Sequence, residues 1–124
     1  MNILENKNFI KKNSNVKIQS KDNTLRIINP TDQEVTLIIP KVYVAKKDNI
    51  EINFLGNVIK GEKGVLVKLV NRKGQVVNEI GLNTNFYTKK KMKFFMIALR
   101  MMPQSEVEIT KFEMNYYVFI SFLL

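Results

Sequence analysis

The chain has 124 residues, a formal net charge of +9, 45% hydrophobic residues and 25% charged residues. A chain of this length and apolar content typically forms one domain with its own core, so we expect a single domain over residues 1–124. Cysteine and histidine are both absent. Their absence excludes disulfides, thiolate nucleophiles, the usual zinc sites and histidine acid–base catalysis.

The basic charge comes from 17 lysines and only three arginines, which are Arg26, Arg72 and Arg100. Lysine is a mobile, strongly hydrated point charge, whereas arginine forms the bidentate phosphate contacts that nucleic-acid recognition favours. We therefore expect loose attraction to anionic surfaces, and we do not expect nucleic acid to be the partner.

The two ends of the chain carry no targeting signal that we recognise. Residues 1–13 have neither a long apolar stretch nor a small-residue cleavage site, so we expect no signal peptide and a cytoplasmic location. The C-terminal segment YYVFISFLL is apolar over nine residues, whereas a membrane helix needs about 20. We expect no transmembrane segment, and we interpret residues 117–124 as a buried strand or as the start of a following segment.

Alternation of apolar and polar residues with a period of two predicts β-strands along most of the chain. The clearest alternation lies at residues 16–19, 50–54 and 106–109. Residues 35–39 and 94–99 are apolar on both faces, so we expect central strands that are covered on both sides there.

Turn residues separate these strands at short intervals. They occur at residues 21–23, 29–32, 46–49, 61–64 and 71–74. The clearest hairpin is GVLVKLVNRKGQVVNEIG, in which Gly74 supplies a residue that tolerates a positive φ.

The alternation changes phase near the end of the chain. Val107 and Ile109 share one parity, whereas Phe112 and Met114 share the other. One extra residue must therefore be accommodated around Thr110, which predicts a β-bulge.

We count eight to nine strands with short connections, and no segment of helical length shows a helical apolar stripe. Two apolar sheet faces need mutual cover, so the predicted fold class is all-β, an antiparallel β-sandwich of the jelly-roll type. An OB-like barrel is the alternative, although it usually has five longer strands.

The order of features resembles the jelly-roll modules of the galactose-binding-like and carbohydrate-binding-module group, which also occur beside bacterial glycosyltransferases. The resemblance lies in NILEN near the start, IEINFLGNVIKGEKGVLVKLVNRKG, KFFMIALRMMP and SEVEITKFEMNYY. It implies a non-catalytic, glycan-associated accessory module of a larger polysaccharide-active or glycosyltransferase protein. Many such modules hold a structural calcium, but Lys111 stands where their aspartate is expected, and Glu5 and Glu113 are the carboxylates that remain. We therefore expect no metal and no cofactor.

The segment LNTNFYTKKKMK is the main candidate for ligand binding. It combines Asn83 and Asn85 with Phe86 and Tyr87, and we expect it to form an exposed loop in which amides and an aromatic face meet a sugar ring. The alternative is a connection whose aromatic side chains fold back to cap the sandwich.

The lysine-rich end of this segment has two interpretations. Lys89, Lys90, Lys91 and Lys93 beside the aromatic residues resemble the surface of a single-strand binder. A solvated strand edge, on which lysines discourage edge-to-edge pairing, explains the same run, and we favour it.

Arg100 follows an apolar strand and is the last candidate ligand-binding residue. At the rim of a sheet face it would orient a sugar hydroxyl or a carboxylate. Alternatively, it would pair with Glu106 or Glu108 on a neighbouring strand.

We do not expect an enzyme, because the carboxylates are spread over several strands with no pair at a glycosidase spacing. The first hypothesis is therefore a carbohydrate-binding accessory module. The alternatives are a protein–protein interaction or oligomerisation domain, whose partner is a neighbouring catalytic domain or a second copy, and a single-stranded nucleic-acid binder.

Overall fold

The computed structural model describes residue 4 and residues 15–39, 44–47, 49–62, 64–88, 92–94 and 96–117. Its described strands follow one another as β1 Lys17–Lys21, β2 Thr24–Asn29, β3 Val35–Ile39, β4 Val44–Lys47, β5 Asn49–Lys60, β6 Val65–Val70, β7 Val76–Gly81, β8 Thr84–Thr88, β9 Met92–Phe94, β10 Met96–Met101 and β11 Ser105–Tyr117.

These strands form two principal antiparallel sheets. The five-stranded sheet has the order β1-β2-β11-β5-β8, and the four-stranded sheet has the order β3-β10-β6-β7. A separate two-stranded ladder joins β4 to β9. The predicted all-β sandwich of eight to nine strands is thus confirmed for the two principal sheets.

The pairing of the strands is nested, which defines the jelly roll. The second strand pairs with the eleventh, the third with the tenth, the fourth with the ninth, the fifth with the eighth and the sixth with the seventh. A chain folded in this way is one long hairpin rolled up on itself. Its successive pairs lie in the five-stranded sheet, the four-stranded sheet and the β4–β9 ladder, and then again in the five-stranded and the four-stranded sheet. Its tip is the hairpin between β6 and β7, which the sequence predicts correctly, with Gly74 at a φ of 79°.

The core lies between the two sheets and is almost entirely aliphatic. Phe54 on β5 and Phe112 on β11 are its largest buried side chains, with ring centroids 4.9 Å apart and planes tilted by 56°. The tilted arrangement suits the quadrupoles of the two rings. These rings tie two neighbouring strands of the five-stranded sheet to the inner face of the four-stranded sheet.

The phase change in β11 is a β-bulge, as the sequence predicts. Ile109 pairs with Gly56 and Lys111 pairs with Leu55, so Thr110 is the extra residue between them. Before the bulge the buried side chains belong to odd-numbered residues, Val107 and Ile109, and after it they belong to even-numbered residues such as Phe112.

Three local predictions are wrong. Residues 35–39 form an edge strand of the four-stranded sheet, and Thr36 within it is exposed. The apolar stretch predicted as one strand is divided between β9 and β10, and only β10 is a central strand with buried residues on both faces. The turn expected at 46–49 is instead occupied, at Lys46 and Lys47, by β4. An apolar run alone does not tell how many neighbours its strand has.

Within the described residues, no helix is long and apolar enough to cross a membrane. Of the C-terminal segment 117–124, Tyr117 is the last residue of β11, and residues 118–124 lie outside the described part of the chain.

Candidate functional site

Asn83 positions the strand that carries the main candidate residues. It adopts a positive φ of 63° in the short connection that takes the chain from β7 in one sheet to β8 in the other. Its backbone N–H donates to the carbonyl oxygen of Phe54 at 2.7 Å, and its side-chain Oδ1 accepts from the backbone N–H of Gly56 at 3.0 Å. These two bonds fasten the start of β8 to β5.

The expectation of an exposed loop is wrong for residues 84–88, which form a β-strand. Residues 84–88 of β8 pair with β5 from Phe54↔Thr84 to Ile50↔Thr88. Successive side chains of a strand point to opposite faces, and Phe86 accordingly packs against the core while Asn85 and Tyr87 are exposed on the outer face. The aromatic pair is therefore split, with Tyr87 alone presented outward at 47% exposure.

Strand pairing places Asn85 and Tyr87 beside polar residues of β5 and β11. We call this set the outer rows, which run across three strands as Asn85–Asn53–Glu113 and Tyr87–Glu51–Asn115. Each member from β5 and β11 alternates with a buried core residue, so the rows face away from the core. Within the first row, the side-chain amide of Asn85 donates to Oδ1 of Asn53.

The next row of the same face continues the surface. Leu55, at 38% exposure, pairs with Lys111, whose Nζ lies 3.6 Å from Oε2 of Glu113. Farther along β11, Glu108 forms an ion pair with Arg26 of β2, and the Nη2 atom of Arg26 lies 3.5 Å from Oε2 of Glu108. Glu51 forms no ion pair with another residue that the structure describes. The outer rows themselves present one aromatic ring, three amides and two carboxylates.

Arg100 lies on β10 in the other principal sheet, so the structure does not bring it together with Asn85 and Tyr87. Its guanidinium pairs with Glu34, to whose Oε2 the Nε donates at 2.7 Å. The expected pairing with Glu106 or Glu108 is wrong, because those residues belong to β11 in the five-stranded sheet.

Two other sequence predictions fall outside the described residues. One is the lysine run, of which Lys89, Lys90 and Lys91 are not described. The other is the calcium site, of which Glu5, one of the two carboxylates considered, is not described. Its counterpart Glu113 pairs with Lys111. In the described part of the chain, no three carboxylates come together as a group that could hold a metal ion.

Four members of the outer rows were not predicted to bind a sugar, and these are Glu51, Asn53, Glu113 and Asn115. Each has a local signal, since each is a polar residue that alternates with core residues in a strand. The missing information was the pairing of β5 with both β8 and β11, which brings residues distant in sequence into one row.

No family model and no curated protein matches the chain. Solved structures do match. Accessory secretory protein 1, 2 and 3 of Streptococcus pneumoniae includes a chain with a TM-score of 0.53 and 12% identity, over 85% of this chain and 87% of that one. The likeness establishes the fold.

Two further structures support the same conclusion. The glycosylation-associated Gap123 complex of Streptococcus agalactiae has a TM-score of 0.55 and 12% identity over 91% of this chain, which spans 44% of the matched chain. A variant of a family 29 carbohydrate binding module has a TM-score of 0.50 and 9% identity, over 89% of this chain and 84% of that one. The resemblance to carbohydrate-binding jelly rolls is thus confirmed as a resemblance of fold.

Proposed function

We propose that this chain is a non-catalytic carbohydrate-binding module, accessory to a larger polysaccharide-active or glycosyltransferase protein, and that glycan binds on the outer rows. The observation that carries the proposal is the alignment of Tyr87 with five amide and carboxylate side chains on one exposed sheet face. The shared fold of carbohydrate binding modules and a glycosylation-associated complex supports it.

The chemistry of the outer rows suits a sugar. The apolar face of a pyranose ring packs on an aromatic side chain, and amides and carboxylates exchange hydrogen bonds with its hydroxyls. Across three strands the rows extend for about 10 Å, and the two rows lie about 7 Å apart along the strands. This area is sufficient for a short stretch of oligosaccharide lying on the sheet.

A binding role accounts for the carboxylates better than a hydrolytic role does. Glycoside hydrolysis requires two carboxyl groups on opposite sides of the scissile bond. Glu51 and Glu113 instead lie on one face, in the two adjacent rows, and Glu113 is paired with Lys111. With histidine and cysteine absent from the chain, we infer that the face holds its ligand and leaves the chemistry to another domain.

The test is a glycan array with the wild-type chain and three variants. Tyr87→Ala removes the ring, Asn53→Ala removes a central amide, and Thr36→Ala is the control, because Thr36 is exposed on β3 of the other principal sheet. We expect the first two variants to lose at least about tenfold in affinity and the control to match wild type. Glycan binding that Tyr87→Ala and Asn53→Ala leave intact, or no binding to any glycan, contradicts the proposal.

Protein association is a second candidate function, favoured by the exposed apolar residues of β7. Val76 and Val77 are 49% and 38% exposed on a strand at the edge of the four-stranded sheet. Unpaired sheet edges with apolar side chains are sites of strand pairing. Light scattering after size exclusion distinguishes the two functions: a mass that rises with concentration and that Val77→Lys reduces supports self-association, whereas a monomer at every concentration contradicts it.

A further inference from the structure

The outer rows have a local charge opposite in sign to that of the whole chain. The chain carries a net charge of +9, yet the rows contain two carboxylates, three amides and a phenol, without a lysine or arginine. Lys111 in the adjacent row is the nearest cation along β11, and it is already paired with Glu113 at 3.6 Å. Among the described residues of the outer rows, a ligand therefore meets carboxylates and no cation.

Glu51 is the residue that decides which class of glycan the outer rows accept. In its row it lies between Tyr87 on β8 and Asn115 on β11, and directly paired residues on one face have Cβ atoms about 4.5–5.5 Å apart. A sugar stacked on Tyr87 is consequently within reach of the Glu51 carboxylate. Glu51 forms no ion pair with another described residue, so no described side chain neutralises its charge.

The sign of this charge separates glycans by class. A hydroxyl or an ammonium group donates a hydrogen bond to a carboxylate, whereas a uronate, sulfate or phosphate can only accept. At a separation of about 4 Å, the repulsion between two such anions weakens binding by about tenfold or more, depending on how far water is excluded.

We propose that the outer rows select neutral or amino-sugar glycans and reject acidic ones, although the chain as a whole is strongly basic. The inference rests on the proposed carbohydrate-binding function and adds the class of glycan. It also predicts two kinds of binding with different salt dependence. Binding of neutral glycans on the outer rows is insensitive to salt, while acidic polymers bind loosely to lysines elsewhere and are released by salt.

The experiment is a glycan array that carries neutral, amino-sugar, uronate and sulfated members, probed at low and high salt. Tyr87→Ala identifies the glycans that bind on the outer rows, because their binding is lost in this variant. Glu51→Lys reverses the local charge, and Glu79→Lys is the matched control, because Glu79 is exposed on β7 of the other sheet and the change in net charge is the same.

We expect every salt-resistant, Tyr87-dependent signal to come from neutral or amino-sugar members. Glu51→Lys, but not Glu79→Lys, should raise affinity for uronate members at least about tenfold in a manner that Tyr87→Ala abolishes. Acidic glycans that bind wild type through Tyr87 overturn the inference while leaving the proposed function intact. If no signal on the array depends on Tyr87, the proposed function fails as well.

Discussion

The side chain of Asn83 and the backbone amide of Gly56 form a hydrogen bond of 3.0 Å at the point where β8 departs from β5. The pairing of β5 with β8 ends at Phe54↔Thr84, so Gly56 of β5 lies beyond the end of β8. The Asn83 side chain accepts the hydrogen bond of the Gly56 N–H, which β8 no longer reaches. A slip of one residue would turn every side chain of β8 to the other face. This contact therefore keeps Tyr87 outward and Phe86 against the core.

Substitutions at Asn83 should separate two contributions to stability, that of its side-chain hydrogen bond and that of its tolerance of a positive φ. Asn83→Asp keeps an acceptor, and we expect a small change in stability. Asn83→Gly keeps the positive φ of 63° but loses the bond, for which we expect a cost of about 1 kcal/mol. Asn83→Ala loses the bond and also strains the backbone, at about 2–3 kcal/mol in total. Urea denaturation measures the series, and an Ala variant more stable than the Gly variant contradicts it.

Gly56 is required because β11 approaches β5 closely beside the bulge. A Cβ at this position would lie 2.1 Å from the backbone carbonyl oxygen of Glu108, and backbone atoms in a sheet cannot rotate away. We expect Gly56→Ala to destabilise the fold by about 2–4 kcal/mol. Gly81→Ala is the matched control in a strand, since its Cβ would meet nothing closer than 3.8 Å. Equal melting temperatures for the two variants would refute the argument.

The pair of Phe54 and Phe112 should contribute strongly to the free energy of unfolding. Phe112 is 1% exposed and its ring centroid lies 4.9 Å from that of Phe54. We expect Phe112→Ala to cost about 3–5 kcal/mol and Phe112→Leu clearly less, because leucine refills much of the cavity. Chemical denaturation with both variants tests this, and a loss below about 1 kcal/mol for alanine would mean that the site collapses around the smaller residue.

Arg100 should be dispensable for glycan binding on the outer rows. It lies on the other principal sheet, and its guanidinium is paired with Glu34, the two side chains being 31% and 44% exposed. We expect Arg100→Ala to leave Tyr87-dependent binding unchanged, and a double-mutant cycle with Glu34→Ala to give a coupling energy of about 1 kcal/mol or less. Loss of glycan binding in Arg100→Ala would instead place a ligand on the four-stranded sheet.

Much of the candidate site was visible in the sequence as separate parts. Asn85 and Tyr87 were recognised by residue type, but the segment was expected to be a loop because its alternation is short. Its strand conformation depends on pairing with β5 and on the hydrogen bond between the Gly56 N–H and the Asn83 side chain. Arg100 was grouped with these residues because an arginine after an apolar strand is a plausible rim residue, yet the strand order places it on the other sheet.

Local periodicity was enough to determine which residues of a strand face the core, where the bulge at Thr110 lies and where Gly74 turns the hairpin, since each depends on neighbours in sequence. Only the tertiary structure decided which strands are adjacent. It made residues 35–39 an edge strand, and it placed Asn53 between Asn85 and Glu113. A period of two separates inside from outside, but the closing of one common core selects the partners of each strand. The outer rows therefore exist only once the jelly roll has closed.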